Sequence, residues 1–130
     1  MVILKTAECP SLSGQSTLTY NIGLNDKKLC ICLTGNTGAG VINKMPVELA
    51  QIQTLLASQK GPITSGCLLG LFEGKSSNSA GFLLAVLLAE GLVKVSFDNQ
   101  RQYERVNEKA YEKIVQAYAK KKSGKKRKNG

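Results

Sequence analysis

The sequence predicts an α+β fold in one globular domain, and three observations carry this prediction. Apolar and polar residues alternate within 16–45, which is typical of a small antiparallel sheet. Apolar residues then recur at helical spacing in several segments of 46–119, which glycine and proline separate. With 130 residues, 42% of them hydrophobic, the chain can bury a core without a metal or a disulfide.

A β-hairpin is predicted in 16–45, after an irregular lead-in over 1–15 that holds at most a short strand at Val2 to Lys5. Its first strand has apolar residues two apart, at Leu18, Tyr20, Ile22 and Leu24. Residues 25–27 form the turn, because Asn and Asp tolerate left-handed backbone. The second strand places Leu29, Ile31 and Leu33 on one face, with Cys30 and Cys32 on the other.

Helices dominate the prediction after residue 45. Pro46 favours a helix start, and Gly61-Pro62 ends that helix. Gly91 ends a third, Leu-rich helix that begins among the N-cap residues 76–79. The elements expected in order are a helix from 46, a short extended segment at 63–65, a helix at 66–72, a helix to Glu90, a ribbon of strands 92–97 and 102–106, and a C-terminal helix over 107–119.

The order of elements over 46–106 resembles the winged helix, a helix-turn-helix variant that has a β-hairpin wing. The residues that carry the likeness are Ile63-Thr64, the short helix Leu68 to Phe72, and the run Leu84, Leu87, Gly91, Leu92 and Val93. The resemblance implies DNA binding, with the start of the third helix in the major groove. By position, the implied helix contacts are Lys75, Ser76, Ser77, Asn78 and Ser79. The implied wing contacts are Lys94, Gln100, Arg101 and Gln102.

The third helix has an unusual composition for a helix that reads a groove. Residues 80–89 include no polar side chain. A helix that is apolar all round is usually buried all round. The sequence therefore leaves two interpretations of this helix open, burial within the domain or an interface between two copies of the chain.

Positive charge is concentrated at one end of the chain. Seven of the eighteen basic residues fall within nine positions, at Lys120, Lys121, Lys122, Lys125, Lys126, Arg127 and Lys128. The other eleven face nine acidic residues, so the rest of the chain carries only about +2. We expect 120–130 to be disordered and to meet a polyanion.

The sequence offers little support for a catalytic site, a metal site or a membrane span. The chain has no histidine, the commonest general base, and no cysteine has an identifiable base partner. The four cysteines are expected to be ordinary buried thiols, without a metal or a cofactor. The apolar run 82–89 is too short to span a membrane. We expect an intracellular location, in the cytoplasm or nucleoid, or in the nucleus of a eukaryote.

These observations lead to a main functional hypothesis and two alternatives. The main hypothesis is a non-enzymatic accessory or regulatory protein that binds double-stranded DNA, with phosphate contacts from the basic segment. The first alternative is an interaction module that dimerises or binds a partner protein through the third helix and the stripe Tyr111, Ile114, Val115 and Tyr118. The second is a binder of RNA or single strands, for which only Tyr20 offers a stacking ring on the N-terminal sheet.

Overall fold

The computed structural model describes residues 2–38, 44–72, 78–96, 102–106, 109 and 112–118. It shows a four-stranded antiparallel sheet, a group of helices and a two-stranded ribbon, which confirms the predicted α+β fold. The sheet comes first in the chain, and its inner face and the helices enclose one hydrophobic core.

The sheet has the strand order β1-β2-β3-β4. The strands are β1 (Val2–Pro10), β2 (Thr17–Asn25), β3 (Lys28–Asn36) and β4 (Val47–Glu48). The predicted hairpin is confirmed as β2 and β3. Its two-residue turn places Asp26 and Lys27 at φ 52° and 66°, the left-handed conformation that such a turn requires.

Strand β1 corrects the prediction that residues 1–15 are irregular. It pairs with β2 along nearly its whole length, with Lys5 opposite Ile22 and Ala7 opposite Tyr20. Because directly opposed residues share a face, Lys5 lies on the inner, core-facing side of the sheet. A lysine at an inward position breaks the apolar alternation, so the sequence pattern hid this strand.

A bulge between Ile3 and Lys5 also disturbs the period of β1. Opposite it, Gly23 lies so close to β1 that a Cβ atom would stand 2.2 Å from the carbonyl oxygen of Val2. No side chain fits at that distance. Gly23 therefore lets the first residues of β1 remain paired beyond the bulge.

The remaining elements follow the predicted order, but the helix expected from residue 46 begins only at Leu49, because Val47 and Glu48 pair with β3 as strand β4. These elements are helix α1 (Leu49–Ser58), a 3₁₀ helix (Ser65–Phe72), helix α2 (Asn78–Ala89), and strands β5 (Val93–Val95) and β6 (Tyr103–Arg105). Residues 112–118 are helical and belong to the predicted C-terminal helix. Ile63 forms a bridge to Tyr103, through N–H···O bonds of 2.7 and 3.0 Å, and so adds a third, one-residue strand to the ribbon.

Helix α2 is the central helix of the core. It packs against β1, β2, β5 and the 3₁₀ helix. Seven of its residues are buried, namely Ser79, Ala80, Leu83, Leu84, Ala85, Val86 and Leu87. Gly91, at φ 79°, ends the helix as predicted, with Gly91 N–H bonded to Leu88 O and Leu92 N–H to Leu87 O. Of the two interpretations left open by the sequence, burial within the domain is correct.

A buried carboxylate links four elements immediately after α2. The Glu90 side chain is 4% exposed, and its Oε2 accepts a bond from Lys5 Nζ of β1 at 2.8 Å. The hydroxyls of Tyr20 in β2 and Tyr118 in the C-terminal helix also donate to this carboxylate. Residues 5, 20, 90 and 118 form what we call the Glu90 cluster.

The electrostatics of the Glu90 cluster favour an ionised carboxylate. Burial by itself would raise the pKa of Glu90, but the bonds from Lys5, Tyr118 and Tyr20 outweigh burial and hold this pKa below its ordinary value. Burial and the bonds to Glu90 raise the pKa of both phenols, so they remain protonated donors. Among the described residues, no buried side-chain nitrogen or oxygen lacks a hydrogen-bond partner.

Glu90→Gln is expected to lower the free energy of unfolding by about 2 kcal/mol at pH 7, because it leaves the partly exposed Lys5 ammonium facing a neutral group. The lowered pKa makes the Glu90 contribution present above the ordinary carboxyl pKa of 4.5 and lost as the pH falls below it. Denaturant unfolding at several pH values should show the two proteins converging below pH 4.5.

Tyr118→Phe is the matched control, since it removes one neutral donor and keeps the charge pair. It should cost about 1 kcal/mol and retain the acid-dependent loss of stability. A difference between Glu90→Gln and the parent protein that does not change with pH would contradict this account of the cluster.

Candidate nucleic-acid interface

Of the contacts predicted at the start of the third helix, only Ser79 has a described side chain. Ser79 is 0% exposed, so it cannot reach a base or a phosphate, and this prediction is wrong. The reason is that α2 lies between the sheet and the 3₁₀ helix, with its first turn already inside the core. Lys75, Ser76 and Ser77 lie outside the described residues, as does the side chain of Asn78.

Two predicted wing residues, Lys94 and Gln102, lie on the β5–β6 ribbon and line the same groove. Gln100 and Arg101 lie outside the described residues, and so do the seven cations from Lys120 to Lys128. The groove, of about 510 Å³, separates the ribbon from the segment that follows α1. We call it the ribbon groove, and its lining residues include Gln59, Gly61, Pro62, Lys94, Ser96, Gln102, Glu104 and Arg105.

The strand register explains part of the lining of the ribbon groove; Arg105 is opposite Val93, so it belongs to the other face of the ribbon although it also lines the groove. Lys94 is directly opposite Glu104, so these two side chains share one face of the ribbon. Val95 and Tyr103 share the other face, where they meet Leu88 of α2 in an apolar groove. The ribbon therefore lies between two grooves, both of which Tyr103 lines.

The bridge between Ile63 and Tyr103 fixes one wall of the ribbon groove against the other. It holds the chain that follows α1 beside β6, so Gln59 and Arg105 line one groove although they are 46 positions apart. The sequence reasoning missed both residues. The alternation that places Arg105 opposite Val93 could be seen in the sequence. The approach of Gln59 depends on the bridge between Ile63 and Tyr103, which no local sequence pattern predicts.

The ribbon groove offers hydrogen-bond donors of the kind that bind phosphate. Lys94 and Arg105 are exposed cations, and Gln59 and Gln102 are partly exposed amides. Glu104 lines the same groove, so the formal charge of the groove is only +1. Among the described residues, no ion pair within 4.0 Å involves Lys94 or Arg105. The groove can therefore add a few phosphate contacts, but it is not a strongly positive surface.

The four cysteines do not point to a metal or a disulfide. All four are free thiols; Cys9 and Cys30 are buried, while Cys32 and Cys67 are partly exposed. Burial raises the pKa of the thiols of Cys9, Cys30 and Cys32. The described part of the chain has no group of three or more His, Cys, Asp or Glu side chains placed to hold a metal ion.

Lys94→Gln and Arg105→Gln, each made alone, should weaken binding to a DNA duplex, and each should lower the slope of log K against log salt by about 1 if one phosphate is no longer neutralised. Lys27→Gln, on the β2–β3 turn, makes the same charge change away from the ribbon and should have a smaller effect. Fluorescence anisotropy at several salt concentrations measures both. Equal effects of Lys94→Gln and Lys27→Gln would contradict a role for the groove.

Comparisons with known proteins add no relative to this picture. No family model, curated protein or solved structure matches the chain. Among the described residues, no helix combines the length and the apolar character that crossing a bilayer requires.

Proposed function

We propose that this protein is a non-enzymatic nucleic-acid-binding accessory or regulatory protein, which binds duplex DNA mainly through its phosphates. The observation that carries the proposal is the separation of charge, with seven cations in positions 120–128 beside a nearly neutral remainder. Such a segment attracts a polyanion independently of its sequence, because each neutralised phosphate releases a counterion.

The ribbon groove supports the proposal on the folded part of the chain. Its cations and amides suit phosphate and sugar contacts, which position a protein on a duplex without reading the bases. Lys94 and Arg105 lie on the neighbouring strands β5 and β6. The folded domain would thus add orientation to the attraction that the basic segment supplies.

The order of elements gives further support. Helix α1, the bridge residue Ile63, the 3₁₀ helix, α2 and the ribbon follow the order on which the winged-helix resemblance rests. The burial of α2 changes what this likeness implies, because a helix enclosed on most sides cannot lie along a major groove. We therefore assign the ribbon and the basic segment to DNA contact, and α2 to the core.

Several residues of the folded domain that suggested the two alternatives pack within the fold, while Tyr111 lies outside the described residues and RNA stays an alternative partner for the basic segment. Tyr20 is 2% exposed and bonded to Glu90, so it offers no ring for a single-stranded base. Most of α2 is buried, and Ile114, Val115 and Tyr118 of the C-terminal stripe pack on the core of the same chain. These surfaces pack within the fold, so they favour a partner less than the charge of the basic segment does.

Removing residues 120–130 should abolish most DNA binding. For the full chain on duplex DNA, the slope of log K against log salt should approach about −6 if all seven cations contact phosphates. The truncated chain should show a slope near −1 or −2 from the ribbon groove alone. A variant with glutamine at all seven positions keeps the length of the segment and serves as the matched control.

Titrations on duplex DNA, single-stranded DNA and duplex RNA, each at several salt concentrations, distinguish the polymers. The proposal expects tightest binding to duplex DNA. No binding by the full chain to any of the three polymers at low salt would contradict the proposal. Tighter binding to RNA would make RNA the partner in place of DNA.

A further inference from the structure

In the described part of the chain, no strand pairs with the outer edge of β1, and the hydrogen-bond pattern of this edge follows from the turns beside it. Hydrogen-bonded and non-bonded residue pairs alternate along an antiparallel ladder. The Ser11 N–H donates to Ser16 O at 2.9 Å, so the pair 11:16 is a bonded one, and so are 9:18 and 7:20. The pairs 6:21 and 8:19 are then non-bonded, and the main-chain groups of Thr6 and Glu8 point away from β2.

Two independent features give the same alternation. The two-residue turn makes Asn25 and Lys28 a bonded pair of the β2–β3 ladder, which directs Asn21 and Gly23 toward β3 and leaves Tyr20 and Ile22 for β1. Pro10 has no N–H and falls on the outward-facing set, the place that an edge strand allows for proline. Thr6 and Glu8 are both exposed, and no described residue pairs with this edge.

We propose that β1 pairs with β1 of a second copy, antiparallel across a two-fold axis, and joins the two sheets into one. A two-fold axis closes the assembly, because each copy uses its single β1 edge. The bulge at Ile3/Lys5 and the missing N–H of Pro10 restrict regular pairing to the segment around Thr6 and Glu8. This inference does not depend on nucleic-acid binding.

Charge and hydrogen bonding select one register for this pairing. With Ala7 opposite Ala7 of the second copy, Thr6 is opposite Glu8 and each dimer gains four main-chain bonds. A shift that centres the axis on Glu8 would oppose two carboxylates, which is destabilising. A shift that centres it on Thr6 would place Glu8 opposite Leu4 at the bulge.

Exposed apolar side chains at both ends of β1 fit the same register. Val2 and Ile3 are 59% and 46% exposed, and Leu12, just beyond the other end of the strand, is 42% exposed. An antiparallel pair centred on Ala7 brings the end of β1 that holds Ile3 in one copy toward the chain that follows Pro10 in the other, where Leu12 lies. The pairing therefore places exposed apolar residues of both copies at the two ends of the joined strands.

Sedimentation equilibrium of the full chain, freed of nucleic acid, tests the proposal over a concentration series. The parent protein should show a dimer mass at high concentration. Thr6→Pro removes an outward N–H from each copy and no β1–β2 bond, so it should raise the dimer Kd about 30-fold, roughly fivefold for each bond removed. Thr6→Ala keeps the N–H and should dimerise like the parent.

Cysteine cross-linking tests which residues of the two copies lie opposite each other, and it does not depend on how well a proline variant folds. Ala7→Cys places two thiols at the axis in a non-bonded pair, with Cα atoms about 4.5 Å apart, a distance that a disulfide can bridge. Oxidised Ala7→Cys should give more covalent dimer than Thr6→Cys, Glu8→Cys or the parent chain with its four native thiols. A monomer mass at every concentration, or cross-linking no stronger at position 7 than in the parent, would overturn the proposal.

Discussion

The buried carboxylate of Glu90 is the interaction on which the arrangement of the domain depends. It receives donors from β1, β2 and the C-terminal helix, and it follows directly after the central helix α2. A charge in this position is tolerated because Lys5 balances it and both phenols bond to it. Removing any one donor leaves a polar group in the core with fewer partners, so the four elements are held as a set.

Much of the fold could be predicted from local patterns. The β2–β3 hairpin and the end of α2 at Gly91 follow from periodicity and turn residues, and α1 ends at Ser58, shortly before the predicted stop at Gly61-Pro62. The apolar composition of α2 left burial or an interface open, and the structure shows burial. Strand β1 could not be predicted in this way, because its inward lysine and its bulge conceal the period of two. The lysine makes sense only beside Glu90, which is 85 positions away.

Some residues of the candidate site could also be predicted from the sequence, and others could not. Lys94 and Gln102 were identified by their place in a predicted ribbon, and the ribbon exists. Ser79 was chosen by analogy with a helix whose start is exposed, and packing excludes it. Gln59 and Arg105 depend on the contact between Ile63 and Tyr103, which sequence spacing does not reveal. Local rules therefore found the elements, while long-range contacts decided which side chains share a surface.

The Glu90 cluster also sets the order in which the protein can finish folding. During synthesis, the sheet strands carrying Lys5 and Tyr20 leave the ribosome well before Glu90, and Tyr118 follows later still. Contacts between residues so distant in sequence form slowly, because the intervening chain must first be closed into a loop. Until then the nascent sheet has an inward lysine and an inward phenol without their acceptor.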